Sequence, residues 1–149
     1  MTNNHILRSI ASGLKLNESK ILEIFRHSDP QVSLEDVKDI FKAETEEDFV
    51  HLSDAGLAMF LDGLIYERRG GEKRTPEEEV RLDNNTILKK LRIALNLKEE
   101  DILKAFHDQE VEVRPFELTA FFRKKGHRNY RACSDKALKA FLKSLKEFS

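Results

Sequence analysis

Ser53-Asp54-Ala55-Gly56-Leu57-Ala58-Met59-Phe60-Leu61-Asp62-Gly63-Leu64 returns 81 positions later as Ser134-Asp135-Lys136-Ala137-Leu138-Lys139-Ala140-Phe141-Leu142-Lys143-Ser144-Leu145. In each stretch Ser stands where a helix N-cap is wanted, and Asp follows at the positive end of the helix. Leu57, Phe60, Leu61 and Leu64 fall at i, i+3, i+4 and i+7, which makes one apolar stripe on a helix. Leu138, Phe141, Leu142 and Leu145 repeat it.

The same shift of 81 carries the match outward without a gap. Asn3-Asn4-x-Ile6-Leu7 falls on Asn84-Asn85-x-Ile87-Leu88, and Leu14-x-Leu16 on Leu95-x-Leu97. Glu18-x-x-Ile21-Leu22-x-x-Phe25 falls on Glu99-x-x-Ile102-Leu103-x-x-Phe106, and Val32 and Phe41 meet Val113 and Phe122. The identities number 18 over 66 aligned positions. Amphipathic helices resemble one another, but chance does not supply one register across four helices and three loops. Internal repetition therefore governs the fold.

Each copy reads as four helices. The first begins after Asn3 or Asn4, both good caps, and carries Ile6, Leu7, Ile10 and Leu14. The second carries Ile21, Leu22 and Phe25. Asp29-Pro30 marks a turn, and Ser33 caps a third helix with Val37, Ile40 and Phe41. Pro115 sits near the equivalent start in the second copy, where its missing N–H costs nothing. The expected fold is all-α, a tandem duplication of a four-helix module over residues 1–68 and 84–149. The two copies are expected to pack with pseudo-two-fold symmetry, because a module this small is near the lower limit of independent stability. Residues 69–83 read as a charged linker. Gly70-Gly71 ends the fourth helix, and Pro76 with Glu77-Glu78-Glu79 could open a short helix.

Of the 149 residues, 40% are hydrophobic and 36% charged, so the core is sufficient and the outer helix faces are heavily solvated. Cys133 is the only cysteine. That rules out an intramolecular disulfide and a thiolate zinc cluster. Aligned with Leu52, it reads as a small core residue. No stretch approaches the roughly 18 apolar residues of a membrane span. The start, Met1-Thr2-Asn3-Asn4-His5, lacks a basic region followed by an apolar run, so cytoplasm is the expected location and no membrane partner is expected.

A net charge of −1 hides a split. Residues 1–83 hold 11 Lys and Arg against 18 Asp and Glu, a net −7; residues 84–149 hold 15 against 9, a net +6. The difference concentrates in the loop after the third helix. In the first copy this loop carries Glu44, Glu46, Glu47 and Asp48. In the second it carries Arg123, Lys124, Lys125, Gly126, His127, Arg128, Tyr130 and Arg131. Three readings compete. Both loops are merely solvated; or they touch, within or between chains, which would set register more than strength; or the basic loop holds an anion or nucleic acid. In the last case Gly126 would admit phosphate to the backbone, Arg would clamp it and Tyr130 would stack on a base.

Motifs for chemistry are missing. His5, His27, His51, His107 and His127 are scattered, none with an i+4 His partner, and read as surface or capping residues. Ser53-Asp54 and Ser134-Asp135 are explained by capping. Arg69-Gly70-Gly71 lacks the Lys-Ser/Thr and the strand of a phosphate loop. No catalytic residue, cofactor or metal ligand is therefore assigned. A helix-turn-helix stays open for the second copy, which offers Arg114 and then Glu117 with its basic residues at the far end, and fits the first copy poorly. The turn from Ser28 to Ser33 is long, and the first copy offers Glu35, Asp36 and Asp39 where a reading helix needs cations.

Asn3-Asn4-x-Ile6-Leu7-Arg8, Leu16 with Glu18, and Ser53-Asp54 with Phe60-Leu61-Asp62-Gly63-Leu64 form one set of motifs. Phe122-Arg123-Lys124-x-Gly126-His127-x-Asn129-Tyr130-Arg131 completes it. Together they resemble the bacterial YehS family, whose unit is a domain of unknown function present twice per chain. The resemblance spans nearly all of the chain outside the linker. It implies a bacterial cytoplasmic protein and brings no activity or catalytic residue with it. Ala11-Ser12-Gly13 departs from Arg92-Ile93-Ala94, so the two first helices need not share a role. The expectation is a non-catalytic helical binding or adaptor protein, with a protein partner or a second copy of itself. The alternative is a nucleic-acid-binding regulator that uses the basic loop of the second copy.

Overall fold

The computed structural model describes residues 1–73 and 81–149; the expected helix opening at Pro76 lies outside them. All regular structure among the described residues is helical. The first copy forms α1 (Asn3–Gly13), α2 (Glu18–Ser28), α3 (Leu34–Phe41) and α4 (Asp54–Arg69). The second forms α5 (Asn84–Leu95), α6 (Glu99–Asp108), α7 (Pro115–Phe121) and α8 (Asp135–Ser144), which tightens into a 3-10 turn over Leu145–Phe148.

Local chemistry accounts for most boundaries. Ser53 Oγ accepts the backbone N–H of Gly56 at 3.0 Å, and Ser134 Oγ that of Ala137 at 3.1 Å. Ser33 and Asp36 cap reciprocally: each side chain takes the other's backbone N–H, at 3.1 and 2.9 Å. Pro115 is the first residue of α7. Gly70 ends α4 at φ +70°, a conformation a side chain would resist.

One expectation fails. Neither Asn3 nor Asn4 caps α1; Thr2 does, and Asp83 caps α5. The asparagines already lie inside the helix, and their amides reach across the module. Asn4, 2% exposed, donates to the carbonyls of Ile40 and Val50 at 3.0 and 2.9 Å and accepts the N–H of Leu52 at 2.9 Å. Asn85 does the same to Phe121, Arg131 and Cys133, at 3.0, 2.7 and 2.9 Å. The irregular segment after the third helix leaves buried backbone groups without ladder partners, and a buried amide with both donor and acceptor satisfies them. Asn3 and Asn84 then tie the start of the first helix to the carboxylates of Asp54 and Asp135, at 2.7 and 2.8 Å.

The copies pack in cis by exchanging equivalent contacts. The last helix of each lies against the first helix of the other, α4 on α5 and α8 with its 3-10 turn on α1. Asp54 accepts the backbone N–H of Leu82 at 3.1 Å, and the N-terminal amine of Met1 stands 4.0 Å from Asp135 at the corresponding place. These are the relations a pseudo-two-fold axis produces. One hydrophobic core runs through both copies, with Phe60, Phe106 and Phe141 fully enclosed. α4 is buried on two faces, since Ala58 and Ile65 are covered as well as the Leu57–Leu64 stripe.

α4 approaches α2 closely at Gly63, where an added Cβ would stand 2.0 Å from the carbonyl oxygen of Ile24. Gly63→Ala is therefore expected to push the two helices apart. We expect a cost of about 1–3 kcal/mol despite the better helix propensity of alanine, read as a fall in the urea midpoint. The residues aligned with Ile24 and Gly63 in the second copy are Ala105 and Ser144.

Cys133 is 4% exposed, and burial, with the charges of Asp135 and Asp83 adding to it, pushes its thiol up to about 12. The group is thus a neutral thiol at pH 8. We expect native protein to leave a colorimetric thiol reagent unreacted, and one equivalent to react on unfolding in urea. Fast reaction of the native protein would show that Cys133 is accessible.

Candidate functional site

The charge-opposed loops occupy equivalent places in the two copies. In both, the chain leaves the third helix, makes two successive turns and is tied down by the buried asparagine. The tips are exposed: Glu44, Glu46, Glu47 and Asp48 in one, and Arg123, Lys124, Lys125, Gly126, His127 and Arg128 in the other. Gly126 takes φ +99° with open space where a Cβ would be. Among the described residues no ion pair joins the two loops.

The second loop and α7 enclose an open cleft of about 540 Å³, lined by Phe116, Arg123, Arg128, Tyr130 and Arg131 among others. Lys124, Lys125 and His127 stand on the loop outside this lining. Arg131 is partly committed. It stands over the ring of Phe116 at 5.4 Å and 3.6 Å from Glu117. Phe116 is 58% exposed, a large aromatic surface to leave in water. Tyr130 is partly covered; burial and the Asp83 charge hold its phenol above the ordinary value, so it stays protonated and can donate. Asn129 turns back, its N–H donating to His127 Nδ1 at 3.0 Å, which orders the loop tip.

Comparison with the first copy shows what changed. There Lys42 stands at the position of Arg123, and its ammonium is held by Asp39 at 2.8 Å and Asp48 at 3.4 Å. The pairing with Asp39 raises the affinity of Lys42 for its proton. In the second copy the residues aligned with those two carboxylates are Ala120 and Asn129. The cation has been kept and both internal counter-charges removed. Among the described residues Arg123 and Arg128 have no carboxylate at ion-pair distance. Glu35 and Glu47 of the first copy are likewise replaced by Phe116 and Arg128. The acidic loop is partly satisfied internally: Glu46 accepts the N–H of Ala43 at 2.7 Å, and Asp48 leans toward Lys42.

Sequence reasoning found the basic loop but not Phe116, which reads as an ordinary position on a short amphipathic helix. It also missed the cluster of Lys20, Glu23, His27 and Glu67, whose members come from two helices. His27 Nε2 and Glu67 Oε2 lie 2.6 Å apart, and Lys20 stands 2.7 Å from Glu67 and 3.0 Å from Glu23. Glu23, His27 and Glu67 place three ligand atoms within 4.8 Å of one another, a spacing a metal ion could use. The Lys20 ammonium already serves these carboxylates and, with His27, holds the Glu67 carboxyl below its ordinary range. This arrangement locks α2 to α4. Because the folded value is depressed, its contribution is present above the ordinary Glu range and fades as pH falls through the lower folded value.

No helix among the described residues is long and apolar enough to cross a membrane. A family model described as a protein of unknown function (DUF1456) matches residues 3–70 and again residues 84–148. The chain is similar to the uncharacterized protein YehS of Escherichia coli (strain K12), with 40% identity over 147 residues, 97% of this chain and 94% of that one. No solved structure matches it. The family model thus falls on the two segments that repeat in the fold, and the chain belongs to the DUF1456 family, whose function is uncharacterized.

Proposed function

We propose that this protein is a non-catalytic binding protein whose working surface is the cleft of the second copy, and that its partner there is an acidic loop, that of a second copy of the chain. One observation carries the reading. Arg123 keeps the place of Lys42 while the two carboxylates that neutralise Lys42 have become Ala120 and Asn129. An arginine stripped of its internal partners is poised to take external ones, and its planar fork suits carboxylates. The complementary surface is on the same chain: Glu44 and Glu47 are exposed at the equivalent position of the first copy. Charges of this kind set register and association rate more than affinity. Self-association is therefore expected to be weak and strongly dependent on salt.

Sedimentation velocity across salt concentrations tests this. The wild type should associate at low salt and dissociate as screening shortens the reach of the charges to about 8 Å near physiological ionic strength. R123E/R128E should remain monomeric throughout. A wild type that is monomeric at low salt and high concentration would overturn the proposal.

A second reading has its own support in exposed Phe116 beside three arginines and Tyr130, the mixture that stacks bases and holds a backbone. It expects nucleic-acid binding that weakens with salt and is lost in R128A/R131A. Unchanged binding in that variant would discard it.

A further inference from the structure

The pseudo-two-fold arrangement makes two seams between the copies, and they differ. At the α4–α5 seam Ala58 and Ile65 are buried, and Lys90 meets Asp62 at 2.5 Å. The positions of α8 and its 3-10 turn aligned with Ala58, Asp62 and Ile65 are Lys139, Lys143 and Lys146. The α1–α8 seam is consequently open. It holds a groove of about 730 Å³ between α1 and α8, with these three lysines and Arg8 among its lining.

The groove has a fixed floor. Leu142, 4% exposed, closes its base. At one end Gly13 lets α1 meet the 3-10 turn, since a Cβ there would stand 2.7 Å from that of Leu145. Arg8 is anchored by a hydrogen bond from its guanidinium to the Lys42 carbonyl, which leaves further donors for the groove. The three lysines are exposed, and among the described residues none has a carboxylate at ion-pair distance. The carboxylates of this helix serve elsewhere. Asp135 takes Asn84 and faces the Met1 amine, and Glu147 faces Lys104.

We infer that the α1–α8 groove is a second binding site, distinct from the cleft of the second copy, and that it holds the phosphate backbone of a nucleic acid. Lys139 and Lys143 stand about one turn apart on α8 and Lys146 follows on the 3-10 turn, so their charges track a linear polyanion rather than a single ion. Ammonium groups act as point charges that meet phosphate oxygens in many geometries, which suits sequence-independent contact. A protein partner would want a large apolar side chain at the centre of the interface; Met1, Leu34, Val50, Ile93 and Phe116 all lie outside this groove, and its lining holds four Lys and Arg and no carboxylate. A membrane surface would want an apolar face to insert beside the cations, and that face of α8 is buried in the core.

The test is fluorescence anisotropy of the full chain with a labelled oligothymidylate and a labelled mixed-sequence duplex over a range of salt. Wild type, K139A/K143A/K146A and R123A/R128A are compared. The lysines are exposed helical positions where alanine favours the helix, so the triple variant should fold. It should bind at least about tenfold more weakly, with a salt slope lower by about 2 on the single strand and about 3 on the duplex. R123A/R128A, altered in the cleft alone, should retain the part of this binding that the three lysines carry. The inference falls if the wild type shows no salt-dependent binding, or if the triple variant binds unchanged. It falls equally if only R123A/R128A loses binding, which would move the site to the cleft. Anionic phospholipid vesicles and polyglutamate complete the comparison; loss of binding to either of these, with the oligonucleotides unaffected, would overturn the assignment of partner. Self-association measured on the same triple variant should be unchanged, so failure here leaves the cleft reading standing.

Discussion

Asn85→Ala is expected to destabilise the protein by about 3–5 kcal/mol and to abolish binding at the second-copy cleft. The amide of Asn85 satisfies two carbonyls and one N–H of the segment that leaves α7. Removing it strands the N–H of Cys133, which is buried, and the carbonyls of Phe121 and Arg131. Each stranded group costs about 1–3 kcal/mol when water cannot replace the partner. The same segment carries Arg123, Arg128 and Arg131, so their geometry depends on one side chain outside the cleft. Asn85→Asp sharpens the test. The carboxylate can still accept from Cys133, but it faces two carbonyls with no donor and brings a buried charge. It should therefore be no more stable than the alanine variant. Urea unfolding followed by circular dichroism measures both. A loss under 1 kcal/mol in both variants would mean the segment is held by something else.

Phe60→Ala is expected to cost about 3–5 kcal/mol and to lower the stability of both copies together. Phe60 is fully buried, its ring 5.2 Å from that of Phe25. Truncation loses the transfer energy of the ring and leaves a cavity between α2 and α4 that rigid helices close only partly. Because α4 also packs on α5, the damage should not stay in the first copy. The chain has two tyrosines and no tryptophan, and each copy holds one tyrosine, Tyr66 and Tyr130. With the other replaced by Phe, each reports its own copy. Both signals should shift to the same lower urea midpoint. A Tyr130 transition that stays in place while Tyr66 moves would show two independent modules instead of one cooperative unit.

The repeat, the helix count and the serine caps were legible because they rest on local rules, i, i+4 spacing and side chains that satisfy their own helix ends. The role of Asn4 and Asn85 was not. A polar residue near a helix start suggests a cap, and only the tertiary fold reveals orphan carbonyls at Ile40 and Phe121 for it to serve. The charge reversal of the loops could be read by alignment, but its meaning could not. It lies in Lys42 having Asp39 and Asp48 beside it while Arg123 has Ala120 and Asn129. Phe116, exposed at the head of α7, was invisible because burial of a single aromatic is not a sequence property. The lysines of α8 looked like an ordinary solvated face. The one hint was the departure of Ala11-Ser12-Gly13 from Arg92-Ile93-Ala94, which the structure explains at Gly13 by the approach of Leu145.

The two copies thus share a scaffold held by paired asparagines and paired aspartates, and differ in which charges they leave unsatisfied. A charge exchange between the two loops probes that difference. R123E/R128E and a second variant, E44K/E47K, are each run alone and then mixed in sedimentation velocity at low salt. Each alone should be monomeric, because positions 44, 47, 123 and 128, which meet in the proposed contact, then all carry one sign. The mixture should associate, since the unaltered acidic loop of R123E/R128E meets the unaltered cleft of E44K/E47K, and added salt should reverse it. Mixtures that stay monomeric while the wild type associates, or single variants that associate as the wild type does, would contradict the account.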